Sequence, residues 1–122
     1  MQAGALFVAT QMARSVRRDD GEHLDTGGWV KLLEYATGRT AQVLGKPSAE
    51  FFAVPLRALG RDPTTALIVG DDYDSDLAGA EAVGARAALV RTGKGSRPLP
   101  AGPARPAAVL DSVADLPGLL GV

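Results

Sequence analysis

Four carboxylates within six positions, Asp71, Asp72, Asp74 and Asp76, are released where the apolar run Ala66 to Val69 stops at Gly70. No other stretch constrains the chain so tightly. Like charges packed this closely repel and push one another toward protonation unless something positive sits among them. A hard divalent cation such as magnesium meets that need. It takes oxygen ligands, keeps several waters and is usually held by one or two carboxylates together with substrate phosphate.

Position matters as much as composition. Ala66 to Val69 is short, apolar and β-branched, which predicts a buried parallel strand. The small apolar stretch Leu77 to Val83, stopped by Gly84, predicts a helix packed closely on a sheet. The acids therefore occupy a strand-to-helix turn, and in open α/β sheets ligands bind outside the carboxyl ends of the strands. Asp74 and Ser75 can also be read as caps of the following helix, and Asp76 as a partner of its dipole. Asp71 and Asp72 leave the strand before the helix begins, so capping accounts poorly for them.

Lys46 is the one cation placed like the acids, in the turn Gly45-Lys46-Pro47-Ser48 between a short strand candidate, Ala41 to Leu44, and a second helix. A lysine there neutralises a carboxylate cluster and grips a phosphoryl oxygen as a point charge. The second helix places Phe52, Leu56 and Leu59 on one face, and Pro55 inside it predicts a kink or an early end near Phe51.

Elsewhere the pattern is α/β. Ala5 to Thr10 predicts a buried strand, and Gln11 to Gly28, charged and aperiodic, a solvated connector in which His23 is exposed and without a role. Trp29, Leu32, Leu33 and Ala36 recur at helical spacing before Gly38, which predicts a helix over 28–37 with Trp29 in the core. Ala87 to Val90 predicts another strand, Arg91 to Gly95 a flexible basic loop read as a turn, with approach to a phosphate as the alternative, and Arg97 to Pro106 an irregular excursion. Ala107 to Leu110 predicts a last edge strand, and Ser112 to Leu120 a terminal helix strained or split at Pro117. Strands alternating with helices give an α/β, Rossmann-like parallel sheet with flanking helices.

With 122 residues, 46% hydrophobic and 22% charged, one core is all the chain can build. A formal net charge of -1 leaves no electrostatic footprint for nucleic acid or anionic membrane. No cysteine and a single histidine exclude a disulfide framework and zinc sites of thiolates or clustered histidines, so oxygen-ligated metal remains. The run Ala5 to Ala9 is too short for a signal-peptide core or membrane span, and a cytoplasmic location is the expectation.

The stretches Gly45-Lys46-Pro47-Ser48-Ala49-Glu50-Phe51-Phe52 and Val69-Gly70-Asp71-Asp72-Tyr73-Asp74-Ser75-Asp76, with Gly79-Ala80 and Gly84, together resemble the C-terminal half of a haloacid dehalogenase-like (HAD) hydrolase. Leu6 to Thr10, Leu33 to Gly38 and Leu89 to Lys94 extend the resemblance to roughly residues 4–95. The branch it is most similar to is the nitrophenylphosphatase-like one with an inserted cap. The resemblance implies a magnesium-dependent phosphate monoester hydrolase acting on a small phosphorylated substrate. It implies that Lys46 grips the phosphoryl group and nucleophile, that Asp71 is a magnesium ligand, and that Asp72 and Asp76 act directly or through water.

The family's nucleophile, an aspartate in an Asp-x-Asp motif ending an N-terminal strand, has no counterpart. Asp19-Asp20-Gly21 lacks the strand and spacing, and Asp72-Tyr73-Asp74 already matches the acidic motif. On this mapping residues 1–24 are the end of the cap and its return linker, and 25–122 the C-terminal part of the core. The missing strand would leave a sheet edge open to a second copy or a complementing chain. A non-catalytic metal-binding or interaction module retaining the half-site is the alternative. A receiver-like domain is disfavoured, since no phosphoacceptor aspartate ends a strand before Lys46.

Overall fold

The expected alternation of strands and helices is realised in a computed structural model that describes residues 4–101 and 105–122. β1 (Val8–Ala9) pairs in parallel with β4 (Gln42–Val43). β5 (Leu67–Gly70), β6 (Arg86–Val90) and β7 (Ala108–Leu110) form a second parallel sheet in that order, with Val69 opposite Ala88 and Ala88 opposite Ala108. In β6, Ala87 to Val90 are all buried, as a strand covered on both faces requires. Among the described residues the two parallel sheets share no ladder, so β5 is paired on one side only.

The apolar interior is divided in the same way. Leu77, Ala80, Ala87 and Leu89 form one cluster, backed by Ile68 and Tyr73, beneath the turn that carries the acids. Ala9, Val30 and Ala41 form another, backed by Phe7, Met12 and Val43. A domain of this size normally has one contiguous core.

The helices are α1 (Thr26–Thr37), α2 (Ala49–Ala58), α3 (Ala78–Ala82) and α4 (Leu116–Leu120). Asp25 caps the start of α1, accepting from the Thr26 N–H at 2.6 Å, and Gly38 closes it in left-handed conformation at φ 64°. Ser48 caps α2, placing Lys46 just ahead of that helix at the end of β4.

Several expectations need correcting. The connector 11–28 contains an antiparallel hairpin, β2 (Ser15–Arg18) and β3 (Gly21–Leu24), turning at Asp19-Asp20. Val16 and Leu24 are its only large apolar side chains, too few to show a period of two. Within the hairpin, His23 Nε2 lies 2.7 Å from Asp20 Oδ1 across the turn. Trp29 is not in a core. It is 58% exposed, Leu32 and Leu33 are exposed beside it, and α1 instead buries Gly27 and Val30.

Pro55 does not end α2, which continues to Ala58. The proline and Phe51, whose carbonyl loses its N–H partner, are both exposed, and water can take that carbonyl. At the C-terminus the break falls before Pro117. Ser112 and Asp115 cap each other across a 3-10 turn, Val113–Asp115, and Pro117 sits in the first turn of α4, where no N–H is missed. Residues 1–3 of the expected cap end and 102–104 of the irregular excursion lie outside the described residues.

Candidate functional site

The end of β5 is shaped by a close approach. A Cβ on Gly70 would lie 2.2 Å from Asp76 Oδ2, so only glycine lets that carboxylate fold back beneath the strand end. The chain turns it back with one π-helical turn, Tyr73–Leu77, in which the Asp76 and Leu77 N–H groups both donate to the Asp72 carbonyl, at 2.7 and 3.4 Å. Asp76 is thereby buried at 5% exposure and fully engaged. Its Oδ1 receives the Lys46 ammonium at 2.8 Å, and its Oδ2 accepts the Asp72 N–H at 3.1 Å.

Asp72 differs from the sequence expectation, because it is the helix cap after all. Its Oδ1 accepts the N–H groups of Asp74 at 3.0 Å and Ser75 at 3.3 Å, and neither Asp74 nor Ser75 caps the turn. A carboxylate leaving a strand can serve as a cap when the next turn is π-helical and begins one residue on. Its Oδ2 pairs with Lys94 Nζ at 2.5 Å. Asp71 lies alongside, with Oδ2 accepting the Lys94 backbone N–H at 3.0 Å.

Lys94 is the residue that the reading of 91–95 as a turn missed. It sits in the 3-10 segment Gly93–Ser96 after β6 and donates to both acids, from its backbone and from its ammonium. Gly93 makes this approach feasible: its φ is +50°, and a Cβ there would lie 2.2 Å from Asp71 Oδ2. The available signal was a lysine between two glycines directly after the strand next to β5. The four predicted side chains, with Lys94, thus form one linked array at the carboxyl ends of β4, β5 and β6. Lys46 reaches Asp76 within it, and Asp71 is held from the Lys94 side.

Burial pushes the Asp72 carboxyl up, but the Lys94 hydrogen bond, the Lys94 charge and the two capping N–H groups outweigh it and hold the group below its usual 3.8. A carboxyl depressed in the folded state contributes stability that is complete above the unfolded value and is lost as pH falls through the folded one. In Lys94→Ala the two largest lowering effects go and burial remains. In magnesium-free buffer its acid unfolding midpoint is expected to rise by roughly half a pH unit, followed by circular dichroism.

Among the described residues no group of three carboxylates or histidines converges as a metal cage. Asp76 is committed to Lys46, and Asp72 to its cap and Lys94. The donor chemistry therefore suits an ion that takes one direct carboxylate, from Asp71, with waters and ligands from elsewhere. Magnesium is bound in that way.

A HAD-hydrolase-like family model matches residues 43–116, and the chain belongs to this family. Its solved neighbours place it in the nitrophenylphosphatase-like branch. It overlays p-nitrophenyl phosphatase from Archaeoglobus fulgidus with a TM-score of 0.77 at 29% identity, covering 95% of this chain and 47% of that one. It also overlays a magnesium-bound glycerol phosphate phosphatase from Mycobacterium tuberculosis with a TM-score of 0.75 at 30% identity, covering 93% and 35%. In sequence it is 44% identical over 89 residues to phospholysine phosphohistidine inorganic pyrophosphate phosphatase from Xenopus laevis, covering 73% of this chain and 33% of the relative. The chain thus spans about a third of the length of the curated relatives it matches.

Proposed function

We propose that this chain supplies the lysine-and-acid side of a magnesium-dependent phosphate monoester hydrolase, acting on a small phosphorylated substrate in the cytoplasm. The observation that carries the reading is the Lys46–Asp76 ion pair beside Asp71 at one sheet rim. Lys46 would hold a phosphoryl oxygen while Asp76 fixes its ammonium, and Asp72 would orient the turn through its cap. Asp71 would be the magnesium ligand, and the ion would offset negative charge gathering on the phosphoryl group.

The nucleophile would come from outside these 122 residues. Of the two aspartate pairs weighed for that role, Asp19-Asp20 lies in the hairpin turn, and Asp72 of Asp72-Tyr73-Asp74 is spent on its cap and Lys94. Residues 1–24 would be the end of a cap domain and its return linker, and 25–122 the later part of the core. Among the described residues no helix is long and apolar enough to cross a membrane. That neither aspartate pair is placed as a nucleophile favours a second reading, a non-catalytic metal-binding or interaction module that keeps the half-site.

Calorimetric titration of magnesium, with a p-nitrophenyl phosphate assay alongside, tests both. Asp71→Ala should weaken magnesium binding at least tenfold, on the order seen when a metal site loses support, with no ester turnover by the chain alone. Unchanged affinity in Asp71→Ala removes the metal reading. Turnover that vanishes in Asp71→Ala would show that the chain carries its own nucleophile. Turnover on supplying the missing strand separates the half-enzyme from the module.

A further inference from the structure

Two adjoining cavities of about 330 Å³ each open beside the acid turn and share Arg14, Asp72, Asp74, Lys94 and Arg97 in their walls. Two of the three cations there are already neutralised, Lys94 by Asp72 and Arg97 by Glu22 of the hairpin. Among the described residues Arg14 forms no ion pair. It is carried at the start of the hairpin, where its carbonyl accepts the Asp25 N–H at 3.1 Å. Its backbone is therefore fixed while its guanidinium is left over.

We propose that Arg14 is a specificity residue that receives a second anionic group on the leaving portion of the substrate. This rests on the reading of the rim as a phosphoryl site. A phosphoryl group held between Lys46 and Asp71 leaves the remainder of a small ester to extend along the acid turn into these cavities. Leu89, Pro98 and Leu99 wall the first of them and suit a short carbon skeleton. A planar guanidinium then offers two parallel donors to a carboxylate or a second phosphate. Asp74 lines both cavities, forms no ion pair among the described residues, and is the like charge such a group would face.

Glycerol 3-phosphate and 3-phosphoglycerate make the test, because they differ in bearing a hydroxymethyl or a carboxylate at the same carbon. Binding of each to the full chain in magnesium buffer is measured by calorimetry. The carboxylated ester should bind roughly tenfold tighter, the gain of one charge-assisted pair. Arg14→Ala should erase that preference and leave glycerol 3-phosphate affinity unchanged, Arg14→Lys should restore part of it, and Asp74→Asn should enlarge it. Equal affinities in the unsubstituted chain, or a preference that survives Arg14→Ala, overturn the assignment of Arg14 alone. Failure of the chain to bind either ester overturns the phosphoryl-site reading together with it. Circular dichroism of Arg14→Ala separates lost binding from lost folding.

Discussion

Replacing Gly70 with alanine is expected to lower the thermal midpoint by about 10 °C. The added Cβ would stand 2.2 Å from Asp76 Oδ2 and 2.4 Å from its Cγ, far inside contact distance. If the carboxylate holds its place, the strand end must shift, and overpacking of this kind costs roughly 1–3 kcal/mol. If it rotates away, a buried carboxylate loses both the Lys46 ammonium and the Asp72 N–H, and breaking a buried pair costs about 3–5 kcal/mol. The cheaper route prevails, at roughly 2–3 kcal/mol, and for a domain of this size each kcal/mol moves the midpoint by about 4 °C. Gly118, with nothing within 4 Å of its Cβ position, provides the control, and Gly118→Ala should be close to neutral. The clash also predicts strong coupling: Gly70→Ala in an Asp76→Gly background should add little, because the Oδ2, Cγ and Cβ atoms it meets, the last at 2.5 Å, are gone. Additive midpoint losses in the double variant would refute this account.

The strand-end geometry also shows where sequence reasoning reached and where it stopped. An apolar run halted by glycine and followed by acids was enough to place Asp71, Asp72 and Asp76 at the rim of a parallel sheet, and Lys46 with them. It did not say which oxygen does what. An α-helix starting later leaves Asp72 outside any cap, whereas a π-turn beginning at Tyr73 makes it the cap. Lys94 escaped because its importance is tertiary: it is 22 residues from Asp72, and only the parallel pairing of β5 with β6 brings the two together. The hairpin was hidden by the charges of Arg17, Arg18 and Glu22. Pro55 reads as a breaker in sequence, but its exposure, which the sequence does not show, lets the helix continue past it.

The misjudged face of α1 has a different cause, and it leads to the expected association of this chain with itself. Trp29, Leu32 and Leu33 form the stripe that helical periodicity assigns to a core, yet the helix turns Gly27 and Val30 inward and leaves the stripe in solvent. The whole chain exposes 7920 Å² at 12.5 kDa, whereas a compact monomer of that mass exposes roughly 6,200 Å². A surplus of roughly 1,700 Å² is about twice what one partner contributes to a standard interface. Among the described residues it accompanies a β5 edge paired on one side, two separate parallel sheets and two separate apolar clusters. Unpaired strand edges template pairing with another chain, and exposed apolar stripes add the driving force. At tens of micromolar the isolated chain is therefore expected to sediment as a dimer or larger species. Trp29→Lys with Leu32→Lys should shift it toward monomer, since the pair places two charges on the stripe without touching α1's buried face. A chain that sediments as a sharp 12.5 kDa monomer across that range, with or without the lysines, would mean that the open edge and stripe attract no second copy.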